Sequence, residues 1–250
     1  MGSFRNKVVL VTGGGAGIGR AAALRFAEAG ARVVITGRRA EPLKALTQDR
    51  DDLDFVLADA AKAEDASRTV STVIEGYGRL DVLVNNAGAG AILPLEAAGP
   101  LAITEIFAVN VFGPSLLATA ALPYLKASGG NIVNISSTFG HKAAAGLSHY
   151  AASKAALEHM TRCWALELGD QRIRVNAVAA GPTETAFLRE RMGLSDEQAE
   201  EVKAQERSRI PLGRRGSPEE VATWIEALAS DSGAWITGQV ITVDGGLSIV

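Results

Sequence analysis

Seven short apolar runs recur along this chain, at Lys7–Thr12, Arg32–Thr36, Asp54–Ala58, Leu80–Asn85, Asn131–Ser136, Arg174–Val178 and Gln239–Val243. Most are nearly continuous rather than alternating, which is the pattern of strands covered on both faces. The segments between them, among them Ile18–Ala29, Ala63–Tyr77 and Tyr150–Leu168, carry Ala, Leu, Arg and Glu at helical spacing. Strands that alternate with helical crossovers predict an α/β fold, a doubly wound seven-stranded parallel sheet flanked by helices. No linker, repeat or low-complexity stretch divides residues 1–250, so one domain is expected.

Two capping patterns mark late helices. Ser217-Pro218-Glu219-Glu220 places a capping serine, a proline at the first helical position and a glutamate at the third. Ser195-Asp196-Glu197-Gln198 repeats the pattern, and the helix it opens, through about Ser208, has few apolar residues. So polar a helix reads as a surface element, and the stretch 183–212 as a substrate lid or, equally, a solvated excursion without a gating role.

The bulk numbers exclude some classes. A formal net charge of −3 gives no general attraction to nucleic acid or to an anionic membrane. The polar N-terminus, Met1 to Lys7, has no apolar core of the kind a signal peptide needs, and no apolar stretch of membrane-spanning length is expected. The single cysteine, Cys163, cannot form an internal disulfide, and its apolar helical setting reads as a buried, inert thiol. A cytoplasmic protein is expected.

The first strand runs into Thr12-Gly13-Gly14-Gly15-Ala16-Gly17-Ile18-Gly19 and then into a helix. Glycines there allow a tight turn and close approach of the backbone to a pyrophosphate held at the helix N-terminus. Glycine clusters are weak evidence alone, but strand before and helix after are the context a dinucleotide site requires. The second strand ends in Thr36-Gly37-Arg38-Arg39. An acidic residue at that place bonds a ribose 2′-hydroxyl and repels a 2′-phosphate; here there is glycine followed by arginine. NADP(H) is therefore the preferred cofactor, with Arg38 its phosphate ligand and NAD(H) the alternative; Ala16 puts no basic residue inside the loop to strengthen that preference. Asp59, after the third strand, serves equally as an adenine ligand or as a helix cap.

Tyr150 and Lys154 lie four residues apart at the start of an expected helix, so phenol and ammonium share one face. A free phenol, with a pKa near 10, exchanges protons poorly at neutral pH; a neighbouring lysine and an oxidised nicotinamide would lower it. Ser137, ending the fifth strand, is placed to hold a substrate oxygen beside the phenol. Asn110, read alone, is a polar residue among apolar neighbours, most simply a local helix cap or bend.

Taken together these motifs resemble the short-chain dehydrogenase/reductase family almost from end to end. Thr12–Gly19 matches its cofactor loop, with Gly13, Gly15, Gly17, Ile18 and Gly19 as the contacts. Asp59-Ala60 matches its adenine position, and Asn85-Asn86-Ala87-Gly88 a motif that steadies the sheet and lines the cofactor site through Asn86 and Gly88. Asn110, Ser137, Tyr150 and Lys154 match the catalytic tetrad; Gly181–Thr185 resembles the loop that meets the carboxamide through Thr183 and Thr185. Val243-Asp244-Gly245-Gly246 resembles the C-terminal signature. The resemblance implies a Rossmann-like fold, hydride transfer between nicotinamide and a carbonyl or secondary alcohol, and Tyr150 as general acid/base. It implies that Lys154 holds the nicotinamide ribose, that Asn110 positions a water for proton relay, and that the assembly is a homotetramer or homodimer. One departure is Ala180, where the family usually has proline, which is expected to loosen the following loop.

Expected pocket segments, Ala89–Leu93, Thr138–Gly140, Gly146–His149 and Thr183–Met192, are mostly small or apolar, which favours an apolar carbonyl or alcohol substrate. His149, Lys142, Glu184 and Arg189 are available for a polar end. A 3-oxoacyl-carrier-protein substrate is one specific candidate; a catalytically silent dinucleotide-binding regulator is the competing class. His141 and His159 read as surface or packing residues, Trp235 as packing near the last strand, and no cluster of ligand residues suggests a metal site.

Overall fold

The computed structural model describes residues 4–250, so Met1–Ser3 of the expected polar N-terminus lie outside the described residues. Seven strands, β1 (Val8–Thr12), β2 (Arg32–Gly37), β3 (Leu53–Leu57), β4 (Val82–Asn85), β5 (Asn131–Ser137), β6 (Arg174–Ala180) and β7 (Val240–Val243), form one parallel sheet in the order 3-2-1-4-5-6-7. Nine α-helical segments accompany them: α1 (Gly17–Glu28), α2 (Ala40–Thr47), α3 (Ala63–Tyr77), α4 (Pro100–Phe107), α5 (Gly113–Ser128), α6 (Ser148–Leu168), α7 (Phe187–Glu190), α8 (Asp196–Arg209) and α9 (Pro218–Ala229). The strand order reverses between β1 and β4, and it is outside the carboxyl ends of the strands at such a point that α/β sheets bind ligands.

The continuous apolar runs follow from a core on each face. Val9 and Val11 of β1 join Phe26, Ile35, Val221 and Ile225 on one side, while Val8 and Leu10 join Val73, Leu117, Ala121 and Leu125 on the other. Successive strand residues point to opposite faces, so both sets must be apolar. Ala21, Ala22 and Ala23 leave α1 a smooth buried face, and Arg25 Nε donates to Glu226 (2.7 Å) to tie α1 to α9.

Both expected capping patterns are complete boxes. Ser217 and Glu220 satisfy each other's backbone N–H groups at the start of α9, as Ser195 and Gln198 do for α8. Three expectations are corrected. Cys163 is exposed, because it falls on the outer side of α6. Trp235 is fully exposed beyond α9 instead of packing near β7. Also, Asn110 is not a helix cap. A π-helical turn at Ala108–Phe112 carries helical backbone through, so Pro100–Ser128 forms one rod long and apolar enough, by length and composition, to cross a membrane. Its Leu117, Ala118, Ala121 and Leu125 are spent on the core beneath the sheet.

Candidate active site

At the carboxyl end of β1 the chain turns through Gly13 at a φ of +65° and Gly17 at +54°, left-handed values that glycine adopts without strain. A Cβ on Gly14 would sit 2.5 Å from Ile35, and one on Gly13 3.0 Å from Asn86 Nδ2, so the loop lies tight against the sheet. No side chain caps α1 at Ala16, which leaves its first N–H groups directed at the groove. Ile18 packs on the core behind the loop. Thr12 holds the opposite wall: its Oγ1 accepts from the N–H groups of Asn86 and Ala87, both 2.9 Å, and its carbonyl accepts from Asn86 Nδ2. An uncapped helix start above a glycine cradle fits a pyrophosphate.

Further along the groove, Thr36, Ala58, Asp59 and Ala60 line a cleft with Thr12, Asn85 and Ala87. Asp59 Oδ1 accepts from the Ala61 N–H (3.1 Å), while α3 is capped at Lys62, so Asp59 orders a loop and is not the cap itself. Arg38 stands exposed at the end of β2 beside Arg39.

The four residues Asn110, Ser137, Tyr150 and Lys154 come from three elements. Asn110 occupies the π turn and is fully buried; its Oδ1 accepts from the Ala89 N–H (2.9 Å), and its Nδ2 donates to the Ala89 carbonyl (2.8 Å) and to Ser153 Oγ (2.9 Å). Ser137 ends β5, with Oγ accepting from the Phe139 N–H. Tyr150 and Lys154 lie on the first turns of α6, both buried, with Lys154 Nζ 6.0 Å from the Tyr150 ring centre. Lys154 Nζ donates to the Ile135 carbonyl at 2.8 Å and also faces Gly88.

Burial governs both titrating groups. It raises the Tyr150 phenol above its ordinary value, and hydrogen bonding to Ser137 offsets this only in part. The expectation that Lys154 lowers the phenol is thus not met in the protein alone: loss of solvation outweighs any nearby charge, and the ammonium is directed to Ile135. Burial also lowers Lys154 to about 8, against the opposing pull of Glu158.

Glu158 was missed in the sequence, although its position four residues beyond Lys154 puts it on the same helical face. Its buried carboxylate accepts from Ser136 Oγ (2.7 Å) and faces His141 Nδ1 (3.2 Å), so His141 is more than a surface residue. Gly140 is obligatory there, since a Cβ would collide with the Glu158 carboxylate. A second buried polar line crosses the sheet, from Asn85 Nδ2 to Asn134 Oδ1 and from Asn134 Nδ2 to Thr161 Oγ1, each 2.9 Å.

Residues of the stretch Phe187–Met192 cover the other side. Phe187 lies 6.3 Å from Tyr150, ring centre to ring centre, and a Cβ at Gly90 would meet Met192 Cε at 3.0 Å and the Tyr150 ring at 3.2 Å. Leu93 N–H donates to the Gly146 carbonyl (2.7 Å), so the expected pocket segments do meet. His149 Nε2 is buried without a partner beside them. Thr183 Oγ1 is turned onto the chain's own Gly181 carbonyl and Thr185 lies against Gly17, so neither hydroxyl projects alone into the groove. The base of the segment is pinned by a bridge between Thr183 and Gly216 and by buried Arg215, which pairs with Glu184 and Glu206 and donates to the Thr183 carbonyl. Ala180 is held in the sheet between Ser137 and Val243, so position 180 itself is not loose.

Residues 13–248 match the family model described as enoyl-(acyl carrier protein) reductase. A 3-oxoacyl-(acyl-carrier-protein) reductase of Thermotoga maritima is 40% identical over 98% of this chain and 99% of its own length. Among solved structures, a short-chain dehydrogenase/reductase of unknown function from Caenorhabditis elegans, with cofactor, superposes with a TM-score of 0.92 at 35% identity, covering 99% of this chain and 97% of that one. Thermoplasma acidophilum aldohexose dehydrogenase, ligand-free, gives 0.90 at 32% identity, covering 100% and 96%. The chain belongs to the short-chain dehydrogenase/reductase family. It is an NAD(P)-dependent oxidoreductase acting on carbonyl or alcohol groups.

Proposed function

We propose that the chain is an NADP(H)-preferring carbonyl reductase or secondary-alcohol dehydrogenase in which Tyr150 is the general acid/base. The observation that carries this is the convergence of Ser137, Tyr150 and Lys154 at one buried place, beneath Phe187 and Met192 and beside the glycine cradle. A bound nicotinamide supplies or accepts the hydride. Ser137 and Tyr150 hydrogen-bond the substrate oxygen and polarise the carbonyl, and Tyr150 passes its proton to that oxygen as the carbon–hydrogen bond forms. Being buried and protonated at neutral pH, the phenol is ready to donate. Lys154 is placed to hold the nicotinamide ribose and, through its charge, to favour the phenolate once the proton has left. Asn110 fixes Ala89 and Ser153, and so the spacing between the π turn and the catalytic helix.

The lining favours a largely apolar substrate. Gly90, Phe187, Met192 and the Tyr150 ring enclose the reacting position, and His149 Nε2 offers one polar contact. A 3-oxoacyl-carrier-protein substrate is the specific reading supported by the Thermotoga relative. Exposed Leu101, Phe112, Leu116 and Leu166 lie on or between the helices that carry the tetrad, which supports a homotetramer or homodimer built on them.

A panel of ketones, 3-oxoacyl thioesters and secondary alcohols assayed with NADPH and NADH tests the reading. Turnover that survives Tyr150→Phe unchanged refutes the mechanism, and a strong NADH preference indifferent to Arg38→Ala refutes the cofactor choice.

A further inference from the structure

The short turn Phe187–Met192 touches both ends of the cofactor groove. Arg191 and Met192 N–H groups both donate to the Phe187 carbonyl, at 2.9 and 3.1 Å, which makes this turn one compact unit. On one side Phe187 and Met192 cover Tyr150 and Gly90. Just before it, Thr185 lies against Gly17 of the glycine loop. On the other side Glu190 makes a two-pronged ion pair with Arg39, at 2.9 and 3.2 Å, which reaches the loop after β2 where Arg38 stands.

Arg191 is the next residue, and it makes no ion pair among the described residues. Its surroundings are cationic. Burial and the charge of Arg38 push its guanidinium down from the ordinary value, with Arg39 adding to them and Glu190 and Asp59 opposing. Glu190 is already engaged by Arg39, and Asp59 by the Ala61 N–H. The Glu190–Arg39 pair brings the adjacent Arg191 and Arg38 to one end of the groove, and two arginines placed so close are unfavourable unless an anion joins them. The neighbours that decide which anion are Arg38, Arg39 and Asp59, at the ends of β2 and beyond β3, where an adenosine ribose is held in such folds.

We propose that Arg191 is a phosphate ligand supplied by the lid segment, completing with Arg38 a two-arginine site for a 2′-phosphate on the adenosine ribose. A 2′-phosphorylated dinucleotide then holds the Phe187–Met192 turn on the groove, and recognition at one end is coupled to enclosure of Tyr150 at the other. The inference rests on the NADP(H) reading and adds the residue and the coupling to it.

Calorimetric titration of the full chain with adenosine 2′,5′-bisphosphate and with 5′-AMP tests this without turnover. Arg191→Ala should weaken the bisphosphate about tenfold and 5′-AMP less than about twofold, as loss of one charge-assisted contact predicts. Arg191→Lys should recover part of the loss. In the wild type the bisphosphate should also slow tryptic cleavage within 185–214, and in Arg191→Ala it should not. Equal weakening of both ligands would overturn the assignment, placing Arg191 on the 5′-phosphate or in the fold. If the wild type and Arg191→Ala favour the bisphosphate equally while Arg38→Ala does not, the inference fails and the NADP(H) reading stands. If the wild type binds both ligands alike, the NADP(H) reading itself fails.

Discussion

Asn110 donates to Ser153 Oγ at 2.9 Å, joining the π turn between α4 and α5 to α6 at a point between Tyr150 and Lys154. The same side chain holds both backbone groups of Ala89, so one buried amide sets the distance between three elements of the site. Asn110→Ala leaves the Ala89 N–H and carbonyl without their partner at a partly buried position. A loss of about 2–4 kcal/mol is expected in denaturant unfolding, at about 1–3 kcal/mol for each group left unpaired. Ser153→Ala removes only the third bond and should cost under about 1.5 kcal/mol. Equal losses in the two variants would show that Ala89 is held by something else.

Tyr150→Phe keeps the ring against Phe187 and removes only the hydroxyl. Turnover should fall by about 10²–10⁴, the usual contribution of a positioned acid. Cofactor binding, followed by quenching of tryptophan fluorescence, should change little. Oxidation of an alcohol requires the phenolate, and burial raises that pKa. The oxidative rate should therefore climb from neutral to alkaline pH, while the reductive rate at neutral pH stays flat. An oxidative rate that falls over the same range would point to a different base.

Lys154 is a buried ammonium held at a cost to stability. Its pKa is lowered by burial to about 8 from 10.5, so between those values the unfolded chain binds more protons than the folded one. Stability attributable to Lys154 is therefore lowest below pH 8 and rises as pH increases toward 10.5. The cofactor-free Lys154→Met variant should melt at pH 7 no lower than the wild type, and any advantage should shrink by pH 10, while turnover is lost. Melting several degrees below the wild type at pH 7 would make Lys154 an anchor through its bond to Ile135 instead.

Arg215 ties together the base of the segment that follows β6. Arg215→Ala leaves Glu206 and the Thr183 carbonyl without their cation, and about 2–4 kcal/mol should be lost, less than for a fully buried pair because Glu184 is half exposed. Residues 185–214 should then be cleaved by protease well before the sheet unfolds. Unchanged cleavage in this variant would show that the segment is anchored elsewhere.

The sheet was legible because its inner strands are covered on both faces and read as nearly unbroken apolar runs. Crossovers such as Ala63–Tyr77 have the length parallel pairing needs. The glycine loop, the Tyr150–Lys154 pair and both capping boxes were legible for the same kind of reason. Each is a local pattern whose geometry depends on residues a few positions apart. Exposure was the weak point: Cys163 and Trp235 lie outside because the turn of a helix and the course of a loop, not residue type, decided which way they face.

Glu158 shows where legibility ends. Its spacing from Lys154 was visible, but its partners Ser136 and His141 come from β5 and the loop after it. The direction of the Tyr150 shift was likewise hidden, since the sequence names the neighbouring lysine but not the desolvation that outweighs it. Arg191 had no local signature at all. Its place near Arg38 depends on the segment after β6 folding back across the groove to Arg39, 151 residues away in sequence. By itself the sequence determined the doubly wound sheet, the glycine cradle and the shared helical face of Tyr150 and Lys154, because these follow from periodicity and short spacing. Tertiary structure alone decided how deeply that pair is buried, what lies behind it and which arginines meet, because desolvation and charge pairing depend on segments that only folding brings together.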